Sequence, residues 1–166
     1  MFGEIDHSCN RRLLFFLLVF VFVPGGRAFA QDATPLMGTW RLNVAQSKFA
    51  SGPLAYARVI CRIEPWEDGL KVVYDMTGTR GGVTHWEWTG RLDGKDYALE
   101  GVEDVVTNAY QRLDDHTFAV VTKLDGRPTT TTKIVISTDR KVMTVTSPAM
   151  NLQGQRVANT AIYEKL

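Results

Sequence analysis

His85 and Glu87 are separated by one residue, Trp86. On a β-strand that spacing puts an imidazole and a carboxylate on one face. Such a pair suits proton transfer, or supplies half of a metal site. A closed zinc site needs four ligands, and the sequence offers no Cys-x-x-Cys pair and no histidine cluster. His116, the other histidine beyond residue 30, lies in the acidic turn Asp114-Asp115-His116 and reads as solvated. The Gly-x-Ser-x-Gly elbow, the phosphate loop and the dinucleotide fingerprint are all absent. The expectation is a protein without catalysis, metal or cofactor.

The aromatic residues suggest binding instead. Trp86 and Trp88 share the strand face opposite His85 and Glu87, and Tyr74 and Phe118 fall on apolar faces of their own segments. Such side chains either line a pocket or fill a core. Tyr110 and Arg112 share a face with Asn108 within residues 104–113. If that face points inward, Arg112 could hold a ligand carboxylate through two parallel hydrogen bonds. In the opposite register Val105, Thr107, Ala109 and Gln111 point inward and Arg112 stands in water. Arg58 and Arg62 lie opposite Cys61 and read as a solvated stripe or an anion-binding one. The candidate ligand-binding set is Tyr74, Trp86, Trp88, Tyr110, Arg112 and Phe118.

The elements that carry these residues are strands. Ala57, Val59, Cys61 and Ile63 alternate with Arg58, Ile60, Arg62 and Glu64. Leu70–Thr77 and Thr117–Leu124 show the same period of two, and residues 142–146 are rich in β-branched side chains. That is the pattern of antiparallel strand with one face in a core and one in water. Asp68-Gly69, Asp93-Gly94 and Asp125-Gly126 favour the positive φ angles of tight hairpins. Gly81-Gly82, residues 138–140 and Asn151-Leu152-Gln153-Gly154 read as further turns. The only helical candidate is residues 45–50, with Asn43 as its cap. Nine or ten strands joined by short turns predict an all-β, antiparallel up-and-down β-barrel of about 8–10 strands; a β-sandwich is the alternative.

The first 30 residues read as a cleavable export signal. Arg11-Arg12 precede an unbroken apolar run over residues 13–23, and Ala28-Phe29-Ala30 offers a cleavage site before Gln31. The run is shorter than the roughly 17–25 residues of a spanning helix. Expected, then, are a signal over 1–30, a single barrel domain over 31–166, a periplasmic or secreted location and no stable membrane span after cleavage. The chain has 19 basic and 18 acidic residues, of which Arg11, Arg12, Arg27, Glu4 and Asp6 belong to the signal, so residues 31–166 carry 16 of each. That balance, without a basic tract, argues against a nucleic-acid partner. Cys61 is the single cysteine beyond the signal, so no intrachain disulfide forms.

Gly38-Thr39-Trp40, at the head of the first strand, resembles the G-x-W signature of lipocalins and their calycin relatives. In that family the tryptophan packs across the closed end of the barrel. Further stretches resemble a family of small exported bacterial proteins with lipocalin-like barrels and no established activity: residues 38–43, Ser47-Lys48-Phe49, Thr84-His85-Trp86, residues 93–97 and Tyr163-Glu164-Lys165. The Thr-Asp-Tyr triplet of a later lipocalin loop is missing, so the resemblance implies a reduced lipocalin-like barrel. It also implies an interior cavity for a small apolar or amphiphilic molecule. The ligand end is expected opposite Trp40, near Trp86, Trp88 and Arg112. The alternative is a cell-envelope interaction or structural protein with a filled barrel.

Overall fold

The computed structural model describes residues 34–50, 52, 54 and 56–166; the expected signal over 1–30 lies outside them. Ten strands follow one another: β1 (Gly38–Leu42), β2 (Tyr56–Trp66), β3 (Gly69–Gly78), β4 (Val83–Gly90), β5 (Tyr97–Glu100), β6 (Val106–Arg112), β7 (Thr117–Leu124), β8 (Arg127–Ile136), β9 (Val142–Met150) and β10 (Arg156–Lys165). Each pairs antiparallel with its neighbour in sequence, and β1 pairs with β10, which closes the barrel. This is the up-and-down barrel that the turn spacing predicts. Residues 45–50 form no helix. The Asn43 side chain accepts the Gln46 amide at 3.1 Å in the manner of a cap, but only a turn follows, and Lys48 then bridges to Thr160 of β10.

Alternation sets inside from outside. Trp40, Cys61, Tyr74 and Trp86 lie side by side across β1–β4, with Val59, Ile63 and Val72 on the same inward face. Arg62, Lys71, Asp75, His85 and Glu87 stand on the outward face. An apolar interior and a charged exterior invert the pattern of a transmembrane barrel. Among the described residues no helix is long and apolar enough to cross a membrane.

Strand direction gives the barrel two unlike ends. At one end lie the start of β1, the end of β10 and the turns that follow β2, β4, β6 and β8. Trp40 plugs it: the side chain is 0% exposed, its Nε1–H donates to the Leu36 carbonyl at 2.8 Å, and the Lys165 ammonium sits 5.1 Å from the ring. Gly38 has φ 137°, and a Cβ there would strike the Lys165 side chain. The backbone angle therefore favours glycine at the head of the Gly-x-Trp tripeptide, while the flexible Lys165 end could move aside.

The other end is open, because the wall splits between β8 and β9. Their ladder runs only from Ile136↔Met143 to Lys133↔Thr146. Successive even-numbered residues of β9 turn their backbone groups toward β8, as Val142 does in accepting the Ser137 amide at 2.9 Å. The next residue able to bond after Thr146 is Pro148, which has no N–H to give. Residues 127–132 and 147–150 therefore part into two lips, each held by its own hairpin.

Candidate functional site

A cavity of about 310 Å³ occupies the upper half of the barrel. Val59, Val120, Ile134, Val145 and Ala161 form its walls, and Tyr56, Met76 and Trp86 stand toward its mouth. Phe49 and Leu54, from the β1–β2 connection, also line it. Short polar links pin the connection to β10. Asn43 Nδ2 donates to Glu164 at 2.7 Å, Ser47 Oγ accepts the Ile162 amide at 2.9 Å, and the Ala50 amide donates to Asn159 at 2.9 Å. Residues 38–43, 47–49 and 163–165, stretches that carry the family resemblance, thus build the plug, the strap and the strand that holds it.

Tyrosines form the deep part of the cavity. Tyr74, Tyr110 and Tyr163 all line it. Cys61 lies behind them, 0% exposed and opposite Tyr74 on the neighbouring strand. Burial pushes the Cys61 thiol up to about 12, against the weaker pull of Tyr74 and Arg62. Burial likewise raises all three tyrosine hydroxyls, and the neighbouring Cys61 raises them further. All four groups stay neutral at ordinary pH, so the interior offers uncharged donors and acceptors. Higher on the wall, Thr122 Oγ1 donates to Asn108 Oδ1 at 2.8 Å, and both residues face the cavity with Thr132. Among the described residues, none that lines the cavity is charged.

The candidate set divides in three. Tyr74, Trp86 and Tyr110 come together in the cavity, Tyr74 stacking on Trp86 with ring centroids 4.2 Å apart. Trp88 and Phe118, both 0% exposed, fill the plugged end without lining the cavity. The Trp88 indole donates to the Asn108 carbonyl at 3.1 Å and packs against Tyr110 and Tyr97. Arg112 does not line the cavity, so the carboxylate clamp left open for an inward face does not form there. Asn108 and Tyr110 do turn inward, but β6 ends at Arg112, beside the plug, and its guanidinium leaves for the surface. There it donates to the Asp114 carbonyl at 3.1 Å and to Asp115 at 2.9 Å. Trp88 and Arg112 thus belong to the plugged end, not the open one.

Tyr163, Phe49 and Leu54 were not among the candidates. The signal for Tyr163 was present, because it lies on the same strand face as Ala161 within residues 155–165. Phe49 and Leu54 sit in an irregular connection, where no periodicity reports which way a side chain points.

On the outer wall, His85 joins a chain of charges. Its Nδ1 lies 2.7 Å from Asp75 and its Nε2 3.2 Å from Glu87. Arg62 pairs with Asp75 at 2.7 Å and Lys71 with Glu87 at 2.6 Å. Both carboxylates already hold a cation, and no cluster able to bind a metal is found among the described residues. His116 also departs from the solvated reading: its Nδ1 is buried and unpartnered, while its backbone N–H donates to Asp114 at 2.8 Å.

No protein-family model matches the chain, and no curated protein matches it.

Proposed function

We propose that this protein is an exported, lipocalin-like carrier that binds one small apolar or amphiphilic molecule and performs no catalysis. The observation that carries the reading is the cavity of about 310 Å³, walled by aliphatic and aromatic side chains and floored by neutral tyrosine hydroxyls. Ligand pockets span roughly 300–1,000 Å³ and combine apolar walls with a few placed polar groups. A volume at the low end suits a compact ligand.

The lining also selects against charge. An ion taken into this interior would meet no counter-charge, and burying an unpaired ion costs several kcal/mol. The part of the ligand that enters is therefore uncharged. It carries a carbonyl, hydroxyl or ether for Tyr110, Asn108 or Thr122, and its apolar remainder lies against Trp86, Met76 and Phe49. Tryptophan fluorescence reports the event, because Trp86 lines the site. The test is native mass spectrometry of the protein recovered from its host, followed by titration with neutral lipophilic probes. A retained neutral adduct and saturable quenching are expected; repeated absence of both sinks the reading.

A filled barrel acting through its surface in the cell envelope is the second reading. Exposed apolar residues such as Val83 and Leu152 at the open end favour it. The cavity favours the carrier.

A further inference from the structure

The hairpin of β9 and β10 stands apart from the rest of the wall. Met150↔Arg156, Ala149↔Val157 and Pro148↔Ala158 pair only with each other. Among the described residues, the ladders to β8 and to the β1 side have ended before this point. The tip exposes three large apolar side chains among polar Asn151, Gln153 and Gln155: Leu152 is 83% exposed, Met150 55% and Val157 37%. Exposed Val83, Val102, Val105 and Leu124 also lie at this end, while Trp66, Leu113, Val135 and Leu166 lie at the plugged one.

Charge completes the pattern. No aspartate or glutamate occurs from Val142 to Tyr163, and none occurs in β8. Arg156 flanks the apolar tip, and Arg127 begins the opposite lip. The carboxylates at this end are Glu100 at the close of β5, Glu103 and Asp104 on the β5–β6 loop, and Asp125 on the β7–β8 turn, two residues from Arg127.

We propose that the β9–β10 hairpin docks the protein onto an anionic lipid bilayer. Met150 and Leu152 enter the boundary between headgroups and acyl chains, and Arg156 and Arg127 face the lipid phosphates. An apolar tip beside basic residues is the composition that holds a segment in that interface. Docked this way, the split between β8 and β9 lies against the membrane. Thr132 and Val145, which border the split, also line the cavity. A molecule leaving the bilayer would then enter the barrel without crossing water. The docking goes beyond the carrier reading and stands or falls separately from it.

The experiment is co-sedimentation of the soluble protein from its host with two kinds of vesicle: phosphatidylcholine alone, and phosphatidylcholine with phosphatidylglycerol. Binding to the anionic vesicles is expected to be about tenfold tighter or more, as two basic residues near such a surface supply, and to weaken as salt is added. The double variant Met150→Asp, Leu152→Asp should lose binding while keeping its circular dichroism and its response to a neutral probe. Retained probe response separates loss of docking from loss of the carrier site. Three results overturn the proposal: no binding to the anionic vesicles, equal binding by the double variant, or a concentration-dependent dimer abolished by those substitutions. The last would assign the surface to a second copy of the chain.

Discussion

Tyr74 stacks on Trp86, ring centroids 4.2 Å apart and planes inclined by 22°. The two residues sit opposite each other on β3 and β4, facing the cavity. Below the stacked pair, the Tyr74 ring meets Tyr163 edge-on at 6.5 Å. The stack links the rigid floor to the mouth and fixes one aromatic wall in place. An apolar ligand would lie against a surface that is already ordered, which lowers the entropic cost of binding.

Ligand charge should matter more than chain length. With no cation among the described residues of the lining, a fatty alcohol is expected to bind about tenfold or more tightly than the carboxylate of equal length at neutral pH. Competition against a neutral fluorescent probe measures the ratio. Preference for the carboxylate would mean that a cation reaches the interior.

Trp40→Ala should destabilise the barrel by about 3–5 kcal/mol, the usual range for deleting a buried aromatic. It leaves a cavity and strips the Leu36 carbonyl of its hydrogen bond. Denaturant unfolding gives the value, and a near-neutral result would show that Trp40 does not close the barrel.

Strand number and closure were legible in the sequence because alternation and turn chemistry agree. Asp125 and Gly126 adopt φ of 48° and 75°, the two positive angles that the Asp-Gly pair favours between adjoining strands. At Asp68-Gly69 the turn shifts by one residue. Glu67 takes φ 48°, while Gly69 opens β3, where a Cβ would collide with the Gly90 carbonyl. Alternation reads only parity: it put Tyr110 and Arg112 on one face with Asn108 but left open whether that face turns inward, and it could not tell which end each residue serves. Arg112 shares the Tyr110 face but reaches solvent because its strand stops there. The split between β8 and β9 had a visible signal, Pro148 inside a strand-like run, whose meaning depends on which neighbour the missing N–H would have met.

Pro148→Val restores that donor opposite Thr131. The β8–β9 ladder should extend by one bond, worth about 0.5–1.5 kcal/mol, and narrow the side opening. Hydrogen exchange should slow at the new amide, and release of a bound neutral probe should slow with it. Unchanged exchange and release would show that the lips part for another reason.

Cys61 should resist thiol reagents in the folded protein. Its thiol is buried and pushed up to about 12, so little thiolate forms. Labelling with a thiol-specific reagent is expected to follow unfolding and to slow when a ligand stabilises the fold. Fast labelling under native conditions would contradict the burial.

The Asp75–His85–Glu87 chain sets a pH dependence. The bond to Asp75 raises the His85 pKa above its ordinary 6.5, so its contribution is complete below that value and fades as pH rises through the folded value. The His85 bond lowers Asp75 from 3.8, and the Lys71 bond lowers Glu87 from 4.5. Their contributions hold above those values and fade as pH falls through the lowered ones. All three act together between pH 4.5 and 6.5. The stability gap between the wild type and His85→Gln should be larger in this window than at pH 8. The effect should be small, because the chain is solvent-exposed and screened. A gap that grows toward pH 8 would reverse the assignment.

The central claim, that the interior receives a small uncharged molecule, is tested most directly by filling it. Tryptophan fluorescence would be titrated with an uncharged lipophilic probe, N-phenyl-1-naphthylamine, in the wild type and in Ala161→Phe, whose new ring projects from the cavity wall. Saturable quenching at one site in the wild type is expected, with loss of binding in a variant that keeps its circular dichroism. No saturable binding in the wild type, or equal binding by both proteins, would contradict it.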